Sequence, residues 1–255
     1  TMAAHPVWVD VPKHQFSRIL YPNPVCLMTA VDSDGVPNVM TISWLTPVDN
    51  GGRFVLSVNS KRRTLANIQA VGSFSLGVPT SSQRELVLAI GGCSGHEVDK
   101  VRTLDLDIFR PWGHLDSDSG ASKPSPLDEK ARTHTHKHSN QPLSKKAKKL
   151  RDQNRASKLL AVRGCSAYVA GRLLSELVCK NSGDDADAPV PGHSLLLCEA
   201  LCVRVRENYW DGRCFLPKEG GGEGDDRDDA KALEAEPYLT FFGSKTFGVV
   251  KPLSR

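Results

Sequence analysis

What the 255-residue chain lacks narrows its class before any motif is considered. No apolar run approaches the ~20 residues that a membrane-spanning helix needs, and the stretch TMAAHPVWVDVPKHQ carries no hydrophobic segment of a secretion signal. The expectation is a cytoplasmic protein with no membrane partner. There is no C-x-x-C pair. The seven cysteines (Cys26, Cys93, Cys165, Cys179, Cys198, Cys202 and Cys214) are odd in number, scattered and mostly set among apolar neighbours. That usage reads as reduced, packed thiols rather than a disulfide framework. No G-x-S-x-G, H-E-x-x-H, Walker loop or Ser-His-Asp order is present, which removes the common hydrolase chemistries. No internal repeat is visible.

Net positive charge is confined to one segment. The formal net charge is +4, yet residues 121–158 hold eleven Lys/Arg against three Asp/Glu, so the remainder sums to −4. The body of the protein is therefore mildly acidic, which argues against nucleic acid as its partner. Within the segment, SKKAKKLR has no interleaved aromatics and reads as a solvated basic face. HTHKH (His134, His136, His138) could capture a metal ion adventitiously, but no carboxylate lies nearby in sequence to orient the rings, and no metal site is assigned.

What is present is strand-rich. PVCLMTAVD (24–32) and NVMTISWL (38–45) read as strands joined by the turn SDGVP, and RFVLSVN (53–59) as a third. TLANIQAVG places Leu65, Ile68 and Val71 at helical spacing with Gly72 as the stop. SFSLGVP (73–79) returns to strand, and TSSQRELVLAI predicts a helix whose N-cap comes from Thr80, Ser81 or Ser82, with Glu85 placed to complete a capping box if Ser82 is the cap. GCSAYVAGRLLSEL (164–177), GHSLLLCEALCVRVREN (192–208) and a final strand in PYLTFFGSKTFG follow. The pattern predicts a mainly β chain with short helices, a β-barrel with helical decoration. The whole chain, 1–255, reads as a single domain with a low-complexity basic insertion at about 115–158 and an acidic loop at about 218–236. A fragile helix over 144–160 is expected inside the first of these.

Two stretches have the composition of a binding site. Lys61, Arg62, Arg63 and Thr64 fall at the entry of the TLANI helix, where free backbone N–H groups make a cradle for phosphate or, alternatively, an ordinary strand-to-helix turn. GGCSGHEVDK (91–100) has glycines that allow close backbone approach, or that simply joint two helices.

Taken together and in order, YPNPVCLMTAVDSDGVPNVMTISWLTPVDNGGRFVLSVNSKRRTLANIQAVGSFSLGVPT and GCSGHEVDKVRTLDL resemble the flavin reductase-like family of FMN-binding split barrels. Looser matches follow at GCSAYVAGRLLSEL, GHSLLLCEALCVRV and YLTFFGSKTFG. The SGHEVDK stretch is similar to this group rather than to the pyridoxamine-phosphate-oxidase-type barrels, which also use FMN. The resemblance implies a six-stranded split β-barrel of Greek-key type that forms a homodimer and holds FMN in a cleft at the subunit boundary. Carried over residue by residue, it puts Asn38, Thr41, Ile42, Ser43, Trp44 and Leu45 along the flavin ring and ribityl chain, largely through backbone groups. Ser57, Val58 and Asn59 would lie under the pyrimidine side, Lys61, Arg62, Thr64 and Asn67 at the phosphate, and Ser94, Gly95 and Lys100 over it. His193 matches a family position near the site and is the candidate catalytic residue, with no other assigned. The implied activity is an FMN-dependent oxidoreductase taking hydride from NADH or NADPH and passing electrons to free flavin, oxygen or an unknown acceptor. The alternative is a non-catalytic flavin-binding or regulatory protein whose insertion recruits a partner. Three positions depart from the pattern: Thr41 replaces a family proline, Leu45 a phenylalanine, and Phe247 the terminal tyrosine.

Overall fold

Seven antiparallel strands form the main sheet, in the order β3-β2-β6-β9-β10-β5-β4. These are β2 (Cys26–Val31), β3 (Pro37–Ile42), β4 (Leu45–Pro47), β5 (Arg53–Asn59), β6 (Ser73–Val78), β9 (Ala167–Leu177) and β10 (His193–Val205). A smaller sheet joins β1 (Asn23–Pro24) to the hairpin β11 (Tyr238–Gly243) and β12 (Thr246–Val250), and β7 (Ile108–Phe109) pairs with β8 (Ala161–Val162). The helices are α1 (Arg63–Val71), α2 (Arg84–Gly92), α3 (Lys100–Thr103) and α4 (Lys145–Ala156). The structure is a computed structural model that describes residues 12, 17, 19–20, 22–113, 144–177, 192–218 and 235–251. Tyr21, the histidines at 134, 136 and 138, Cys179, residues 114–143 of the basic segment and 219–234 of the acidic loop lie outside the described residues.

The strand expected over 38–45 is two strands. β3 stops at Ile42 on one edge of the sheet, and β4 starts at Leu45 on the other. Only Ser43 and Trp44 lie between them, and three Cα steps span at most about 11 Å. The two edges must therefore meet, which curls the sheet into a barrel and explains the seventh strand. Alternating hydrophobicity continues through the junction, so the pattern alone gave no sign of the break.

Two apolar layers pack on the curled sheet. Met28, Met40, Leu56, Phe74 and Leu196 meet inside it, where Leu65 and Ile68 of α1 join them. Val25, Leu27, Val39 and Tyr168 pack outside it under Val87 and Ile90 of α2. β2 contributes to both layers, which is why CLMTAV lacks polar alternation. Gly72 ends α1 in the left-handed conformation (φ 72°), its N–H bonding the Ile68 carbonyl. α2 starts later than expected: Thr80 and Gln83 form the capping box on a short 3₁₀ turn over Ser81–Gln83, ahead of α2 itself.

Gly171 of β9 lies opposite Phe74 of β6. A Cβ at Gly171 would approach Phe74 Cε2 and Cζ to 2.7 Å, and Phe74 is fully buried. Gly171→Ala is expected to destabilise the protein by about 1–3 kcal/mol through overpacking. A urea denaturation midpoint equal to wild type would sink that assignment.

The basic segment is not solvated throughout. Ser144 caps α4 by accepting from the Ala147 N–H at 3.2 Å. Ala156 and Leu159 are buried with Ala170 of β9, against Leu201 and Cys202 of β10. Lys148 reaches Glu199 at 3.2 Å, and Arg172 holds the same carboxylate. One alanine at the end of a charged helix and a leucine just beyond it are enough to seat it. Among the described residues, no helix is long and apolar enough to cross a membrane.

Candidate functional site

The first turn of α1, the turn after β2 and the loop between α2 and α3 meet at β3. Asn38 is buried, and its Nδ2 donates to Thr64 Oγ1 at 2.7 Å. A Cβ at Gly95 would come within 2.2 Å of Asn38 Oδ1, so the loop backbone rests directly on that amide. Asn67 Nδ2 donates to the Ala30 carbonyl at 3.2 Å. These three polar side chains hold α1 against the sheet.

The cations at the start of α1 divide their work. Arg63 Nη1 donates to the Gly95 carbonyl at 3.1 Å and Nη2 to Asp32 Oδ2 at 3.1 Å, strapping loop, helix and turn together. Hydrogen bonding from the Val36 N–H, aided by Arg63, holds the Asp32 carboxyl below the usual carboxylate range. Lys61 and Arg62 are exposed. No side chain caps α1 at Arg62, and no acidic residue lies in its first turn. That helix end therefore offers N–H groups and positive potential that no side chain caps, the one nearby carboxylate, Asp32, being held by Arg63.

Lys100 completes this cationic end. It is only 3% exposed, and among the described residues its Nζ makes one hydrogen bond, to the Ile90 carbonyl at 2.8 Å. Burial pushes its pKa down; Cys93 acts against that, and Arg62 lies close enough to push it further down. Asp99, the nearest acid in sequence, is instead turned to the Val101 and Arg102 N–H groups as the cap of α3. Ser94 Oγ accepts from the His96 N–H at 3.3 Å.

The remaining residues gather along the seam and β5. Ile42 and Val58 are buried in the inner core with Leu45 against it. The Thr41 hydroxyl donates to the Val87 carbonyl at 3.0 Å, so it is committed to α2. The Trp44 carbonyl accepts from the Ser57 N–H at 2.9 Å, which docks the seam on β5. Trp44 is 41% exposed, and its ring lies 5.0 Å from that of His193 at 32°. His193 stands opposite Asn59 in the β5–β10 ladder, and Asn59 Oδ1 accepts from the Lys61 N–H at 3.0 Å. The ring-like end (Ser43, Trp44, Ser57, Asn59, His193) and the cationic end (Arg62, Lys100) are thus joined by the short turn from β5 into α1.

The sequence reading did not assign the Asp32–Arg63 strap or the Trp44–His193 contact. The first had a signal in the acid of the D-S-D-G turn; the second depends on a strand pairing that adjacent motifs do not encode. A buried ammonium without a carboxylate, beside a second cation and an uncapped helix start, fits a phosphate-bearing cofactor.

Residues 16–109 match the family model described as the flavin reductase like domain. Solved structures with similar folds include an FMN-binding protein from Thermus thermophilus with bound p-hydroxybenzaldehyde (17% identity, 100% of this chain and 99% of that one, TM-score 0.57). A flavoredoxin from Methanosarcina acetivorans is similar at 17% identity, covering 98% of this chain and 95% of that one with TM-score 0.59. A split barrel domain protein from Shewanella frigidimarina matches at 12% identity, 96% and 92% coverage and TM-score 0.58. A search of curated proteins finds no match. Residues 16–109 thus match the flavin reductase like domain model, and the chain shares the fold of these split-barrel structures.

Proposed function

We propose that the protein is an FMN-binding oxidoreductase that uses NADH or NADPH as reductant. The observation that carries the reading is Lys100: a buried ammonium with one carbonyl partner, near Arg62 and next to a loop that only glycine lets approach Asn38. Lys100, Arg62, Lys61 and the first-turn N–H groups of α1 would hold the phosphate, while the strap from Arg63 keeps the loop in place. Backbone groups of Ser43–Leu45, with Ser57 and Asn59, would face the polar edge of the ring system. Thr41 would act through its backbone alone, because its hydroxyl is already used. When bound, the flavin supplies the redox chemistry, accepting hydride from the nicotinamide and passing electrons to free flavin, oxygen or another acceptor. Trp44 and His193 flank the open side, where a nicotinamide ring would stack.

The reading includes a homodimer. On the outward side of β9, β10 and β5, Val55, Leu195 and Leu197 are half-buried and Leu177 is exposed, alternating with the core residues Leu56 and Leu196. A second copy covering that face would enclose the ring end of the site.

Purified protein is expected to be yellow, with flavin absorbance that bleaches anaerobically on adding NADH or NADPH. Protein that is colourless and does not take up added FMN overturns the binding proposal. Yellow protein that neither nucleotide bleaches overturns the reductase proposal alone.

A further inference from the structure

The flavin reading uses none of the seven cysteines. Burial pushes Cys26, Cys165 and Cys198 up to about 12 and Cys202 in the same direction, so these thiols stay protonated at neutral pH. Cys93 is placed differently. It directly follows α2 and is half-buried, at the start of the loop that brings Gly95 onto Asn38. Its sulfur donates to the Ala89 carbonyl at 3.3 Å and lies 4.0 Å from the Ile90 oxygen. Lys100 Nζ donates to that same Ile90 oxygen at 2.8 Å. Two groups that share one oxygen at these distances lie within about 7 Å of each other, inside the ~8 Å over which charge acts at physiological salt.

The neighbouring cations make this thiol more than a lone cysteine. Lys100 is buried, and among the described residues only one of its three N–H donors is used. Arg62, close enough to act on Lys100, is exposed at the entrance. An anion drawn to this pair arrives beside the Cys93 sulfur, which raises its concentration there. The exposed thiol of Cys214 has the opposite setting, since the Asp211 carboxylate accepts from the Cys214 N–H.

We propose that Cys93 is a modification site at the phosphate end: in the FMN-free protein it exchanges with a small anionic disulfide, and the resulting adduct blocks FMN. The thiolate attacks one sulfur of the disulfide, a new S–S bond replaces the old one, and the departing thiolate takes a proton from solvent; the disulfide is the oxidant. Carboxylates of the adduct pair with Lys100 and Arg62 in place of the phosphate. The blocking rests on the flavin reading above, whereas the preference of Cys93 for an anionic disulfide does not.

Incubating the FMN-free full chain with glutathione disulfide or neutral 2-hydroxyethyl disulfide, followed by peptide mass mapping, tests both parts. The ratio of rates, anionic over neutral, is expected to be at least fivefold higher at Cys93 than at Cys214. Lys100→Met should bring it down to the Cys214 value, and the exposed change Arg62→Gln should lower it in the same direction. No modification of Cys93, or equal ratios at the two cysteines, overturns the proposal. The adduct should weaken FMN at least tenfold, reversibly with reductant, and Cys93→Ser should bind FMN as wild type does yet lose this effect. If FMN binds unmodified protein and the adduct does not weaken it, the blocking is overturned. If unmodified protein takes up no FMN, the flavin reading falls, and the rate ratio still decides the modification site.

Discussion

Lys100→Met is expected to weaken FMN binding by about a hundredfold while moving the stability of the FMN-free protein by no more than about 1–2 kcal/mol. In the FMN-free state two effects oppose each other. Methionine relieves the cost of burying an ammonium that is 3% exposed. It also removes the bond to the Ile90 carbonyl in the last turn of α2, where the helix dipole favours a cation. With the phosphate present the balance is one-sided, since deleting one member of a desolvated charge pair leaves the other buried and unpaired. At about 1.4 kcal/mol per decade, a loss near 3 kcal/mol gives the expected factor. Fluorescence titration of FMN and thermal melts of FMN-free protein measure the two quantities separately. Equal affinity for wild type and variant would remove Lys100 from the site.

The same residue sets a pH dependence with opposite signs for binding and folding. Burial holds the pKa of Lys100 below the ordinary 10.5, so the unfolded chain binds the proton more tightly and the FMN-free protein gains stability as pH rises towards that value. A bound anion favours the protonated amine. FMN affinity is therefore full below the free-protein pKa and falls as pH rises through it, earlier than an ordinary lysine would titrate. Lys100→Met should abolish this alkaline fall.

Gly95→Ala is expected to weaken FMN at least tenfold and to cost about 1–3 kcal/mol of stability. The new methyl would lie 2.2 Å from Asn38 Oδ1 and 2.8 Å from its Cγ. Asn38 cannot swing aside freely, since its amide is buried and bonded to Thr64. The loop must lift instead, taking with it the carbonyl that Arg63 holds. Gly92→Ala is the control: no atom lies within 4 Å of its Cβ, and its effect should stay within about 0.5 kcal/mol. If the two variants bind FMN alike, the contact between loop and Asn38 does not shape the site.

Much of this arrangement could be read from sequence because local rules agree with the fold. β5 runs from Arg53 to Asn59 as its alternation indicates, and Gly72 stops α1 because only its conformation closes that turn without strain. The motif block drew attention to β3, α1 and the glycine loop, which the structure brings together. Four features were hidden for physical reasons. The switch of edges at Ser43–Trp44 leaves side-chain alternation intact. The division of labour between Arg62 and Arg63 depends on where one helical turn points each side chain. The Thr41 hydroxyl faces α2 because its position on the pleat follows Val39, a direction fixed only once α2 is in place. The packing of α4 was masked by composition, since Ala156 at its end and Leu159 just beyond it are lost beside its lysines and arginines.

The strand order also dictates when the barrel can exist. β5 pairs with β10, and Asn59 meets His193 only after the whole intervening chain has been made. At about 5–20 residues per second, a ribosome takes roughly ten seconds to cover that distance. Meanwhile β2 and β3 can form their hairpin, and β6 can join β2, but that partial sheet has no β9 or β10 to continue it. The nascent chain therefore passes through a period with its inner apolar face open to solvent. Chaperone dependence during synthesis, rather than low final stability, is the expected cost of this topology.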